Sequence, residues 1–154
     1  MDVELLGNTK LLTMPKTAFL ASGDIAPDMV LTCYDWAVRM TEEDRCVISG
    51  FSSHIERDVL HFLAKGLQPI IMVIARKMYK QIPSELQTLL DANRLLIIST
   101  STSPQQSRIT AQVRNRYICD VADNILFVCN SETSSLYELQ QEYHHKRIYI
   151  ENFR

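Results

Sequence analysis

Glycine is scarce in this chain, with four residues in 154. None forms a G-x-G-x-x-G or G-x-x-x-x-G-K-[ST] pattern, so a nicotinamide-dinucleotide fingerprint and a P-loop are both missing. No apolar run reaches the ~20 residues that a membrane helix needs. Neither sign of charge dominates: the formal net charge is −2. That argues against broad coating of nucleic acid and leaves room for a local basic patch. Cys33, Cys46, Cys119 and Cys129 form no C-x-x-C pair, whereas structural zinc needs close-spaced ligands. Free, buried thiols in a reducing cytoplasm are expected. His144-His145 falls at an expected helix C-terminus, where the dipole suits positive charge, and no metal or cofactor is expected. No G-x-S-x-G elbow marks a nucleophile. Met1–Lys10 carries Asp2 and Glu4 and lacks a basic start followed by an apolar stretch. No secretory signal is expected, and a cytoplasmic location is.

What is present is ordinary in amount and regular in order. Hydrophobic residues make up 46% and charged residues 22%, as in soluble globular proteins. A chain of this length is expected to form one domain, residues 1–154, with an irregular arm over the first fourteen that has room for a small strand or helix turn and for docking on a neighbour. Strand-like runs at Thr17–Ser22, Arg45–Ser49, Pro69–Ala75, Arg94–Ser99, Asn124–Cys129 and Arg147–Glu151 alternate with helical patterns. The helices are expected at Asp28–Met40, His54–Lys65, Ser84–Ala92, Ser107–Ala122 and Ser134–Tyr143. Strict alternation predicts an α/β, Rossmann-like, doubly wound and mainly parallel sheet with helices on both faces.

Hydroxyl side chains crowd the loops that follow four of these runs. Ser22 closes the first; Ser49, Ser52 and Ser53 follow the second; Ser99–Ser103 and Ser107 follow the fourth; Ser131, Thr133, Ser134 and Ser135 follow the fifth. In a parallel sheet these loops share the strand-end edge, where open α/β sheets bind ligands. Helix N-termini there favour phosphate through unpaired N–H groups and the helix dipole. The Ser49–His54 turn contains Gly50, and its small residues let the backbone approach a ligand. An ordinary capped loop is the competing reading of the same residues. Arg108, Arg114 and Arg116 follow on one helix, and Arg76 and Lys77 end the third strand. Arginine forks suit phosphate oxygens, yet Arg114 and Arg116 point about 200° apart on a regular helix. Glu56 and Glu138 fall in first helical turns, where acids complement the dipole; a general base or ribose ligand is the competing reading.

Several of these segments resemble a known family. Ser49-Gly50-Phe51-Ser52-Ser53-His54-Ile55-Glu56 resembles the S-G-x-A-x-G-I-D segment of the DNA-processing protein A (DprA/Smf) family. Arg114-Asn115-Arg116-Tyr117-Ile118, with Asp123 and Ile125–Val128, resembles its R-N-R-x-I segment and following strand. Ser134-Ser135-Leu136 falls where that family has S-G-S-L, and Thr17–Gly23 on its opening strand and G-S-R turn. The likeness runs from about Thr17 to Ile150. It implies a Rossmann-like fold, a positively charged pocket for single-stranded DNA, and a part in loading a recombinase during DNA uptake and transformation. It also implies pairing into a homodimer. Carried over by position, it implicates Ser22, Ser49, Gly50, Ser52, Ser53, Arg114, Asn115, Arg116, Ser134 and Ser135. The arginine of G-S-R falls on Gly23, the glycine and aspartate of G-I-D on His54 and Glu56, and an aromatic residue before R-N-R on Ala111.

A related branch supplies the alternative. Ser131–Glu138 is similar to the G-G-x-G-T-x-x-E motif of the nucleoside-monophosphate phosphoribohydrolases, with the glycines at Ser131, Glu132 and Ser134 and the glutamate kept as Glu138. That likeness implies glycosidic cleavage, with Glu138 stabilising a ribosyl cation and Arg114 orienting the nucleotide. A degenerate nucleotide sensor is the third expectation, and binding module is the leading one.

Overall fold

A computed structural model describes residues 2–150. In chain order the elements are β1 (Glu4–Gly7), β2 (Lys16–Ala21), α1 (Pro27–Glu42), β3 (Cys46–Ser49), α2 (His54–Ala64) and β4 (Ile70–Ile74). Then follow α3 (Ser84–Asp91), β5 (Leu95–Ser99), α4 (Arg108–Val121), β6 (Asn124–Val128), α5 (Ser135–Glu142) and β7 (Arg147–Ile148). The strands make one sheet in the order β1-β5-β4-β3-β2-β6-β7. Every neighbouring pair is parallel except β1 with β5. The expected α/β architecture is therefore the one observed.

Period-two alternation along the strands divides the core. Phe19, Val47, Ile70 and Ile97 turn to the side covered by α1, α2 and α3, where Trp36, Ile55 and Leu86 meet them. Ala18, Ile48, Ile71 and Leu96 turn to the opposite side, against Ile118 and Cys119 of α4 and Leu136 of α5. Phe19 and Trp36 stack with ring centroids 5.1 Å apart. Strands β4 and β5 are buried throughout, which is why they are continuous apolar runs. Each large side chain so buried contributes roughly 1.5–3 kcal/mol. Burial also pushes the thiols of Cys33, Cys46 and Cys119 up to about 12, so these three are inert packing groups. Cys129 is half-buried, and all four cysteines are free.

The N-terminal arm is not irregular throughout: it holds a small strand and a helix turn, both within the expected range. It docks on its own sheet, with β1 antiparallel to β5 and Glu4 opposite Ser99. A 3-10 turn, Thr9–Thr13, follows and is capped by Asn8. An uncovered β5 would present a row of unpaired backbone groups, which β1 satisfies. Gly7 makes the exit possible: its φ is +114°, and a Cβ there would sit 2.3 Å from the Leu95 carbonyl oxygen. At the other edge, β7 pairs Arg147 and Ile148 with Ile125 and Leu126. The expected last strand reached Glu151, which lies outside the described residues.

Candidate functional site

Parallel pairing puts the C-terminal ends of β2 to β6 on one edge. The turn after β3 is the most tightly built part of it. Ser53 is the N-cap of α2: its hydroxyl accepts the Glu56 N–H at 3.2 Å, and Glu56 reaches back to the Ser53 N–H. The same carboxylate accepts the Ser52 N–H at 2.9 Å and, through its other oxygen, the Ala21 N–H at 3.0 Å. One buried acid thus joins the end of β2 to the start of α2.

Arg114 comes to this turn from the opposite face of the sheet. It is only 4% exposed. Its Nε donates to Asn115 Oδ1 at 2.8 Å, and its Nη1 leans on the Val73 carbonyl of β4 at 3.4 Å. Gly50 lies directly over the guanidinium, so close that any Cβ there would collide with it. Burial raises the Glu56 carboxyl above its ordinary value, while the three N–H donors and the Arg114 charge hold it down. Burial likewise lowers Arg114, and Glu56 opposes that shift. A guanidinium keeps its proton in a protein, so a positive charge stays beneath the turn. Phe51 sits in the left-handed region with φ 47° and is buried. Such a backbone in a bulky residue is strained, and strain of this kind clusters where loops are shaped for function.

The structure brings some expected site residues together and separates others. Gly50, Ser52, Ser53 and Arg114 converge. Ser49 is inaccessible, and its hydroxyl accepts the Phe51 N–H at 3.1 Å. The N–H groups of Ser52 and Ser53 are taken by Glu56, which occupies the anion position at the α2 N-terminus. The Ser22 hydroxyl donates to Asp24. Ser134 caps α5 by accepting the Leu136 N–H. Because β2 lies between β3 and β6, the loop that carries Ser134 and Ser135 leaves the sheet two strands away from the Gly50 turn.

Arg116 does not share a ligand face with Arg114. It is exposed and forms an ion pair with Glu142 of α5, because two residues along a helix turn the side chain by about 200°. Asn115, Arg116, Ser135 and Glu138 instead line a groove between α4 and α5 with Ile109 and Val113. His54 is exposed beside Asp58, which also accepts the Tyr34 hydroxyl, and His61 faces Glu85 at 3.8 Å. Among the described residues no three His, Cys, Asp or Glu side chains assemble as a metal would require.

Glu56, expected in the first turn of α2, is the organiser of this turn, and Ser53-x-x-Glu56 is a capping-box pattern. Two further contributors were not singled out by sequence. Arg57 donates to the Ser52 carbonyl at 2.8 Å. Gln106, from the long Ser/Thr loop after β5, donates to the Ser52 hydroxyl at 3.0 Å, and nothing in its sequence context marks it.

No family model and no curated protein matches the sequence. Solved structures do match in shape. DNA processing protein A from Helicobacter pylori, described with a single-stranded DNA binding mode, superposes with a TM-score of 0.73 at 18% identity, covering 96% of this chain and 70% of that one. DNA processing protein A from Streptococcus pneumoniae gives 0.74 at 19% identity, covering 96% of this chain and 53% of that one. This chain thus spans about half the length of the pneumococcal protein. The molybdenum cofactor binding protein of Rippkaea orientalis is more distant, at 0.58 and 14% identity over 88% of this chain and 75% of that one. The chain has the Rossmann-like α/β fold found in DNA processing protein A.

Proposed function

We infer that this chain is a DprA-like binding module that holds single-stranded DNA at its strand-end edge. The observation that carries the reading is the convergence of Arg114 and the Gly50–Ser53 turn at that edge. The H. pylori protein of the same fold is described as binding single-stranded DNA. Arg114 supplies a fixed positive charge beneath Gly50, and the Ser52 hydroxyl with Gln106 presents polar groups above it. A nucleotide would use the same groups with fewer contacts. Pairing into a homodimer, a cytoplasmic location, service in DNA processing or uptake, and a recombinase partner belong to this reading as its finer parts. No helix among the described residues is long and apolar enough to cross a membrane.

The hydrolase alternative requires Glu138 and Arg114 to act on one substrate. Glu138 lines the α4–α5 groove, whereas Arg114 is buried under Gly50. Binding is therefore the better-supported reading. Its test is a titration of labelled single-stranded oligonucleotide at low salt, with duplex DNA and AMP as competitors. Saturable binding displaced by unlabelled single strand supports it, and no binding removes it. Gel filtration with light scattering tests the homodimer.

A further inference from the structure

The loop between β4 and α3 carries Arg76, Lys77, Tyr79 and Lys80, and no acid occurs from Ala75 to Ser84. It is anchored, not loose: Met78, Tyr79 and Ile82 pack against the core beneath α1–α3. Hydrogen bonds tie it to the Ser/Thr loop after β5. The Ser99 hydroxyl donates to the Arg76 carbonyl at 2.6 Å, and the Lys77 N–H donates to the Ser103 carbonyl at 2.8 Å. That second loop reaches Ser52 through Gln106. The β4 loop and the Gly50 turn therefore belong to one continuous polar rim.

The charges on the rim are sorted. Arg76 lies over the Tyr79 ring, 5.0 Å from its centroid, and Lys80 is exposed. Neither cation has a carboxylate partner among the described residues. Lys77 differs, because it shares a hollow with Asp2 and Glu4. The other half of the edge, after β2 and β6, carries Asp24, Asp28 and Glu132. That half flanks the β2–β6 boundary, where the winding of the sheet reverses and open α/β sheets ordinarily take ligands. Here its acids repel phosphate.

We propose that the Arg76–Lys80 loop is a nucleic-acid contact segment: Arg76 and Lys80 meet backbone phosphates, and the Arg76–Tyr79 stack receives a base. The ligand is thereby displaced from the β2–β6 boundary towards β4 and β5. Aromatic rings and guanidinium planes are sequence-tolerant platforms for unpaired bases, and the Arg76 guanidinium, backed by the Tyr79 ring, provides one. This rests on the single-strand reading above, and it specifies a polymer with successive phosphates over a mononucleotide.

The test is anisotropy of labelled oligo-dT with R76A/K80A, Y79L and K65A, each first checked by thermal melting. K65A lies at the far end of α2 and serves as control. R76A/K80A should weaken binding about tenfold or more and flatten the logarithmic salt slope by about 0.7 for each phosphate no longer neutralised. Y79L, which keeps an apolar anchor, should weaken binding about tenfold with the salt slope unchanged. If R76A/K80A misfolds, K80E at an exposed position must show the same direction. Wild-type binding with all these variants unaffected overturns the proposal and leaves the single-strand reading standing. Absence of wild-type binding overturns both.

Discussion

Gly50 and Arg114 are in direct contact: a Cβ on Gly50 would stand 2.6 Å from both the Cζ and Nη1 atoms of Arg114. With the guanidinium in this position, residue 50 has no room for a side chain. Gly50→Ala should therefore displace the guanidinium and destabilise the fold by about 1–3 kcal/mol, the usual range for overpacking. Urea denaturation measures it; an unchanged midpoint would show that the turn has slack.

Arg114→Met should cost about 1–3 kcal/mol at neutral pH, because it removes the hydrogen bonds to Asn115 and the Val73 carbonyl and the nearby charge that helps keep Glu56 ionised. The deficit has a defined pH dependence. Burial raises Glu56 above its ordinary 4.5 in the fold. Folding is thus favoured below that value, and the advantage is lost as pH rises through the folded value. Removing Arg114 raises the folded value further, so the variant loses more. The gap between wild type and Arg114→Met should narrow as pH falls and Glu56 takes up its proton. Denaturation midpoints across the acid range check this, and a gap that stays constant contradicts the coupling.

Ser53→Ala removes the hydroxyl that caps α2 and should cost about 1 kcal/mol. The substitution should also loosen the Ser52–Glu56 hydrogen bond next to it. Amide exchange at Ser52 and Glu56, faster in the variant, is the readout.

Arg116→Ala should change stability by no more than about 1 kcal/mol, since its pair with Glu142 is exposed. Oligonucleotide affinity should be nearly unchanged, because the side chain faces the α4–α5 groove. A large drop in affinity would put the ligand on that groove instead.

Incubation with AMP should release no free adenine, and Glu138→Gln should leave oligonucleotide binding as it is. Adenine release that depends on Glu138 would restore the hydrolase alternative.

Much of the fold was legible because hydrophobic periodicity is a local signal. The run before Ser49 and the four-residue repeat of Ile109, Val113, Tyr117 and Val121 located β3 and α4 to within a residue or so. Where the arm docks was not legible, because pairing of Glu4–Gly7 with Leu96–Ser99 depends on residues far away in sequence. At the site, Arg114 and the Gly50 turn could be paired through the strand-end geometry. Ownership of the turn's N–H groups could not. Serines and a helix N-terminus look the same whether an external phosphate or an internal Glu56 carboxylate completes them. The separation of Arg116 from Arg114 was foreseeable from helical rotation alone.

The most direct test of the central claim is an anisotropy titration of the wild-type chain with a labelled single-stranded oligonucleotide, repeated at increasing salt. Strand-end binding predicts saturable association at low salt that weakens steadily as counterions are added and is outcompeted by unlabelled single strand far better than by duplex. No association at the lowest salt, or equal competition by duplex, would contradict it.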